Sequence, residues 1–85
     1  MTAPLRLDGN ALGGVLIDIF GHEMTDAQGT CLDCGAVHQF GALIAYVAAP
    51  GHVLRCPSCN AVLLVIVVEP DGYHVTVESL QAPGV

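Results

Sequence analysis

The sequence predicts a small α+β fold that depends on a bound metal, and three observations predict it. The first is a pair of C-x-x-C motifs, at Cys31 and Cys34 and again at Cys56 and Cys59, in a chain of 85 residues. The second is a helical stretch near the start, where Leu12, Val15, Leu16, Ile19 and Phe20 recur at the spacing of one helix face. The third is a run of short apolar segments from residue 28 onward, rich in β-branched residues and punctuated by Gly and Pro. A chain this short lies near the lower limit of what a hydrophobic core alone stabilises, so a staple is expected.

The helical zone is LDGNALGGVLIDIFGHEMT, residues 7–25, with the helix itself expected over about 8–23. Asp8 or Asn10 is the expected N-cap, because a short polar side chain accepts the free N–H groups of the first turn. The helix should end between Gly21 and Met24. Gly13 and Gly14 each weaken it by about 1 kcal/mol relative to Ala, and the expected compensation is close approach of another backbone.

The ribbon zone is expected over about 28–80, with three to five short antiparallel strands. ALIAYVAA at residues 42–49 reads as a strand, Pro50-Gly51 as a turn, and residues 52–55 as the approach to the second cysteine pair. Residues 62–68 are apolar on both faces and read as a central strand, with Val62, Leu64, Ile66 and Val68 on one face and Leu63, Val65 and Val67 on the other. Pro70-Asp71-Gly72 makes a turn into an alternating last strand, Tyr73, Val75 and Val77 opposing His74, Thr76 and Glu78. The tail, QAPGV, reads as frayed. No composition shift divides the chain, which reads as a single domain over residues 1–85.

The four sulfurs carry the chemistry. A C-x-x-C turn puts both sulfurs on one side of a tight bend whose N–H groups point at them. Such a turn needs a residue tolerant of positive φ just after the second Cys. Gly35 follows Cys34 and Asn60 follows Cys59, the residue types that enter that region most readily. Pro57 pre-sets the second turn. Spaced as C-x2-C-x21-C-x2-C, Cys31, Cys34, Cys56 and Cys59 are the candidate ligands of one tetrahedral ion. Zinc is the expected occupant, one per chain; iron in a rubredoxin-like site is the alternative, because thiolates serve both. Disulfides are the lesser reading in a reducing compartment, and neither pair opens a helix after a strand as a redox motif would. The fold expected is therefore a zinc ribbon, antiparallel β-hairpins with two cysteine knuckles, plus the N-terminal helix.

Four protein sulfurs leave no position for a water, so no catalytic residue is assigned and no enzyme is expected. The histidines, His22, His38, His52 and His74, belong to no catalytic or ligand motif and read as surface or interface residues. Asp8, Asp18 and Glu23 read as a solvated face. Arg55, beside Cys56, reads either as an offset to the negative metal site or as a surface residue.

The chain carries two basic residues, Arg6 and Arg55, against eight acidic ones, a net charge of −6. That excludes the cationic footprint of nucleic-acid binding and disfavours anionic membranes. The longest apolar run, residues 61–68, is too short to span a bilayer, no targeting pattern is evident, and a cytoplasmic protein is expected.

LDGNA (residues 7–11), EMT (23–25), GTCLDCGAV (29–37) and PGHVLRCPSCNAVLL (50–64) together resemble a family of small bacterial zinc-ribbon proteins, chiefly actinobacterial, of unknown function. The resemblance covers nearly the whole chain and implies Cys31, Cys34, Cys56 and Cys59 as ligands. Asn60 stands where such ribbons commonly carry Gly. The resemblance implies no activity. The expectation is a non-catalytic structural protein, a protein–protein interaction module or small accessory subunit; electron transfer through iron and a transcriptional regulator are the alternatives. One helix covers one face of so small a sheet. The other face, with Val65 and Val67 near the contact, is expected to meet a second copy of the chain or a partner protein.

Overall fold

The computed structural model describes residues 5–48 and 51–82. Over these the chain is a small α+β fold of two antiparallel sheets and one short α-helix. β1 (Leu5–Asp8) leads into a 3-10 turn (Gly9–Leu12) and α1 (Gly13–Phe20). β2 (Gln28–Cys31) and β3 (Val37–Gln39) form the first hairpin. A second 3-10 turn (Phe40–Ala42) connects to β4 (Ile44–Ala48), β5 (Gly51–Arg55), β6 (Val62–Glu69), β7 (Gly72–Val77) and β8 (Leu80–Gln81). The larger sheet runs β1-β4-β5-β6-β7 and the smaller β3-β2-β8.

The helix is shorter than expected. Gly21, at φ 81, stops it with its N–H bonded to the Ile17 carbonyl at 2.7 Å, within the expected range. At the other end Asp8 caps the 3-10 turn by accepting the Asn10 N–H, and α1 itself has no side-chain cap. Asn10 is not a cap. Gly13 and Gly14 do not mark a close backbone approach: a Cβ on Gly14 meets nothing within 4 Å and one on Gly13 meets only a Thr25 methyl. That role falls to Gly9, where a Cβ would lie 1.7 Å from the Phe40 carbonyl oxygen, so the two 3-10 turns pack backbone to backbone.

The strands outnumber the three to five expected. β1 pairs antiparallel with β4, Leu5 opposite Val47. β8 takes in Gln81, the first residue of what reads as a frayed tail, and pairs with β2, Cys31 opposite Leu80; residues 83–85 lie outside the described residues. So does Pro50 of the expected turn, while Gly51 already begins β5. Residues 70–71 form the turn between β6 and β7 as expected.

The register of β5 and β6 shifts between Leu54 and Arg55, so that Leu54 opposes Leu64 while Arg55 opposes Val62. Leu63 is the extra residue of this bulge and is 1% exposed. The simple alternation expected for β6 therefore fails at its start: Val62 turns to the face of Arg55, and Leu63 joins Leu64 and Ile66 in the core.

The core gathers Leu12 and Leu16 of the helical segment, Met24, Phe40, Leu43, Ala45, Leu54, Leu63, Leu64, Ile66 and Leu80 with the buried cysteines Cys31 and Cys56. It occupies the helix-side face of the larger sheet and the junction with the smaller one. Among the described residues no helix is long and apolar enough to cross a membrane.

Candidate metal centre

Each cysteine pair closes a hairpin, and the two closures share one hydrogen-bond pattern. In the first, between β2 and β3, the Cys31 N–H donates to the Ala36 carbonyl (2.9 Å) and the Gly35 N–H to the Cys31 carbonyl (2.8 Å). In the second, between β5 and β6, Cys56 donates to Ala61 (2.9 Å) and Asn60 to Cys56 (2.8 Å). The chain reverses through the residue after each second cysteine, Gly35 at φ 78 and Asn60 at φ 66. Asn60 is the non-glycine residue at positive φ among those described; asparagine tolerates that region and fills the place of a glycine.

The smaller sheet and the β5–β6 hairpin bring the two turns face to face. Cys31 Sγ lies 3.6 Å from Cys59 Sγ, and Cys34 Sγ lies 3.7 Å from Cys56 Sγ. All four sulfurs fall within 4.8 Å of one another. Four sulfurs about 2.3 Å from a common zinc ion stand ~3.8 Å apart at the tetrahedral angle, so the cluster fits such an ion with little adjustment. Cys31 and Cys56, the first cysteine of each turn, are buried; Cys34 and Cys59 are exposed. The arrangement could hold a metal ion with one inward and one outward sulfur from each turn.

The electrostatics show what a cluster of thiols lacks. Burial opposes the Cys56 thiolate, but the N–H groups of Cys59 and Ser58 and the Cys34 thiol outweigh it, and the pKa falls to about 7. The Ser58 N–H lies 3.4 Å from Cys56 Sγ. The Ala61 N–H favours a thiolate at Cys59, yet burial and the sulfurs of Cys31, Cys34 and Cys56 together push its pKa up to about 12. At Cys34 the Ala36 N–H likewise favours the thiolate, and burial with the Cys56 and Cys31 sulfurs still raises the pKa. Like charges this close do not accumulate without a cation, and a metal ion held by the four sulfurs would supply that charge.

Arg55 does not reach a sulfur. Its Nη1 donates to the Asn60 carbonyl at 2.8 Å, and its guanidinium lies 5.8 Å from the Tyr46 ring centroid. It braces the second turn from behind. His38 Nε2 and Ser58 Oγ, 3.0 Å apart, tie β3 to the second turn. The sequence carries no signal for that contact, which exists only because the two turns face each other.

The other histidines lie away from the sulfurs. His22 Nδ1 is 3.2 Å from the Glu23 carbonyl oxygen. His52, opposite Ile66 on β5, has a buried Nδ1 with no hydrogen-bond partner among the described residues, and burial lowers its pKa. His74 is exposed on β7. Asp18 accepts from the Tyr73 hydroxyl (3.3 Å) and Glu23 accepts from the Thr25 N–H (2.9 Å), both on the surface.

Among known protein families, the one described as "Family of unknown function (DUF6510)" matches residues 2–84. No curated protein and no solved structure matches the chain.

Proposed function

The chain belongs to the DUF6510 family of unknown function, and on that premise we propose that it is a non-catalytic zinc-ribbon protein, an interaction module or small accessory subunit built around one structural zinc. The observation that carries the reading is the convergence of Cys31, Cys34, Cys56 and Cys59 within 4.8 Å from two turns of matching hydrogen-bond pattern. A zinc ion bound by these four thiolates supplies a cross-link between the β2–β3 and β5–β6 hairpins. In zinc-finger peptides such binding is worth about 10–16 kcal/mol of apparent folding free energy, ample for a domain of this size.

Four cysteine ligands complete a tetrahedron, which leaves no position at which water or substrate is activated. Of the histidines, His38 meets a hydroxyl, that of Ser58, but among the described residues no carboxylate side chain orients its ring as the base of a nucleophile pair requires. A role in binding follows. The face of the larger sheet away from α1 supplies the surface.

Elemental analysis, visible absorption and chelation test the reading together. The expected result is one zinc per chain in a colourless protein that loses its β-sheet circular dichroism when a strong chelator removes the metal. A red, visibly absorbing protein would identify iron and an electron-transfer role. A metal-free chain with full thermal stability would remove the structural premise.

A further inference from the structure

Cross-strand partners in an antiparallel pair share a face, so the registers sort the side chains of the larger sheet. One face holds the row Leu7, Ala45, Leu54, Leu64, Val77, whose three central members are 0% exposed. The other holds two adjacent rows, Arg6, Tyr46, Val53, Val65, Thr76 and Asp8, Ile44, Arg55, Val62. No residue of these two rows is buried. Both basic residues of a chain with net charge −6 therefore lie on this open face, on either side of Tyr46.

Arg6 is directly opposite Tyr46, and Arg55 stacks on its ring 5.8 Å from the centroid. Among the described residues Arg55 meets that ring and the Asn60 carbonyl, neither of them an acid. Tyr46, Val53, Arg55 and Asn60 line a shallow depression of about 390 Å³. Of the acidic residues on strand positions of this face, Asp8 lies on the outer strand and caps the Asn10 N–H, and Glu69 ends β6 at the far end of the sheet.

We propose that this face docks a partner protein through an apolar segment that bears carboxylates, read by Arg6 and Arg55 around Tyr46. The proposal rests on the reading of the chain as an interaction module and names the chemistry of its partner. Tyr46, Ile44, Val53 and Val65 supply the apolar contact. An arginine held by a ring and a carbonyl is already ordered and loses little freedom on taking a carboxylate in its fork. A second copy is the poorer occupant, because face-to-face pairing sets cation against cation between two chains that already repel at −6 each.

The test uses the metal-loaded full chain and two dye-labelled synthetic peptides with the same leucine and phenylalanine positions, one carrying glutamates and the other lysines between them. Fluorescence anisotropy should show the glutamate peptide binding about fivefold to tenfold more tightly, with the preference fading in high salt. The amide signals of Tyr46 and Val53 should shift on titration. Arg6→Gln, far from the knuckles, should weaken the preference, and Arg6→Gln with Arg55→Gln should abolish it. Equal or tighter binding of the lysine peptide, no binding of either, or a preference that survives both substitutions would overturn the proposal. So would a dimer seen by light scattering and broken by Val65→Glu. Metal content measured on the same samples separates this failure from loss of the zinc-ribbon reading.

Discussion

Asn60 is held at φ 66 with its N–H on the Cys56 carbonyl, a conformation that costs an ordinary side chain about 1 kcal/mol or more. Asn60→Gly should leave thermal stability within about 0.5 kcal/mol of the parent, whereas Asn60→Val should lower it by more than 1 kcal/mol. Equal melting of the two variants would show that the turn does not constrain this residue. Gly9→Ala places a methyl against the Phe40 carbonyl oxygen and should be more damaging still. The cysteines give a pH dependence. The Cys56 pKa is depressed to about 7 from 9.0, so its contribution is present above the unfolded value and lost as pH falls through 7. Metal held by thiolates has the same sign, because unfolded thiols rebind protons that the metal displaces. The raised Cys59 pKa has the opposite sign and acts between about 9 and 12 in the metal-free chain. Unfolding midpoints of the metal-loaded protein should therefore fall on acidification below neutrality; a midpoint flat from pH 8 to pH 5 would contradict thiolate ligation.

At the scale of elements, α1 is fastened by a narrow stripe. Leu16 is 0% exposed in the core and its neighbour Ile17 is 42% exposed. Leu16→Ala should cost about 2–5 kcal/mol and Ile17→Ala well under 1 kcal/mol, measured by chemical denaturation; similar costs would mean the helix does not pack on the sheet through this stripe. The helix stripe, β6 and both cysteine turns were legible because their signals are local: an i, i+3, i+4 spacing, a β-branched run, and Gly35 or Asn60 after the second cysteine. What escaped depends on distant chain. LRLD becomes β1 because residues 44–47 offer it an edge, and LQ becomes β8 because β2 does. The bulge at Leu63 is invisible to alternation, which counts residues but not the extra one that register demands. The spacing of the cysteines made them candidates, while the contact of His38 with Ser58 exists only because the two turns face each other, and that of Arg55 with Asn60 only because the second turn folds back on the end of β5.

For the whole molecule, the two faces of the larger sheet differ in what covers them. One sheet face buries its aliphatic row under the helical segment, and the other leaves Ile44, Tyr46, Val53, Val65 and Val67 partly exposed. The sulfur cluster sits where the two sheets meet, so a metal there joins hairpins that share few other side-chain bonds. Replacing Cys34 or Cys59 by Ser should accordingly reduce metal content and loosen both sheets together rather than one turn alone, seen as loss of amide-exchange protection in β2 and β6. X-ray absorption at the zinc edge of the purified protein tests the central claim most directly. The account predicts one zinc per chain surrounded by four sulfurs at about 2.3 Å; a shell containing nitrogen or oxygen, or fewer than four sulfurs, would contradict it.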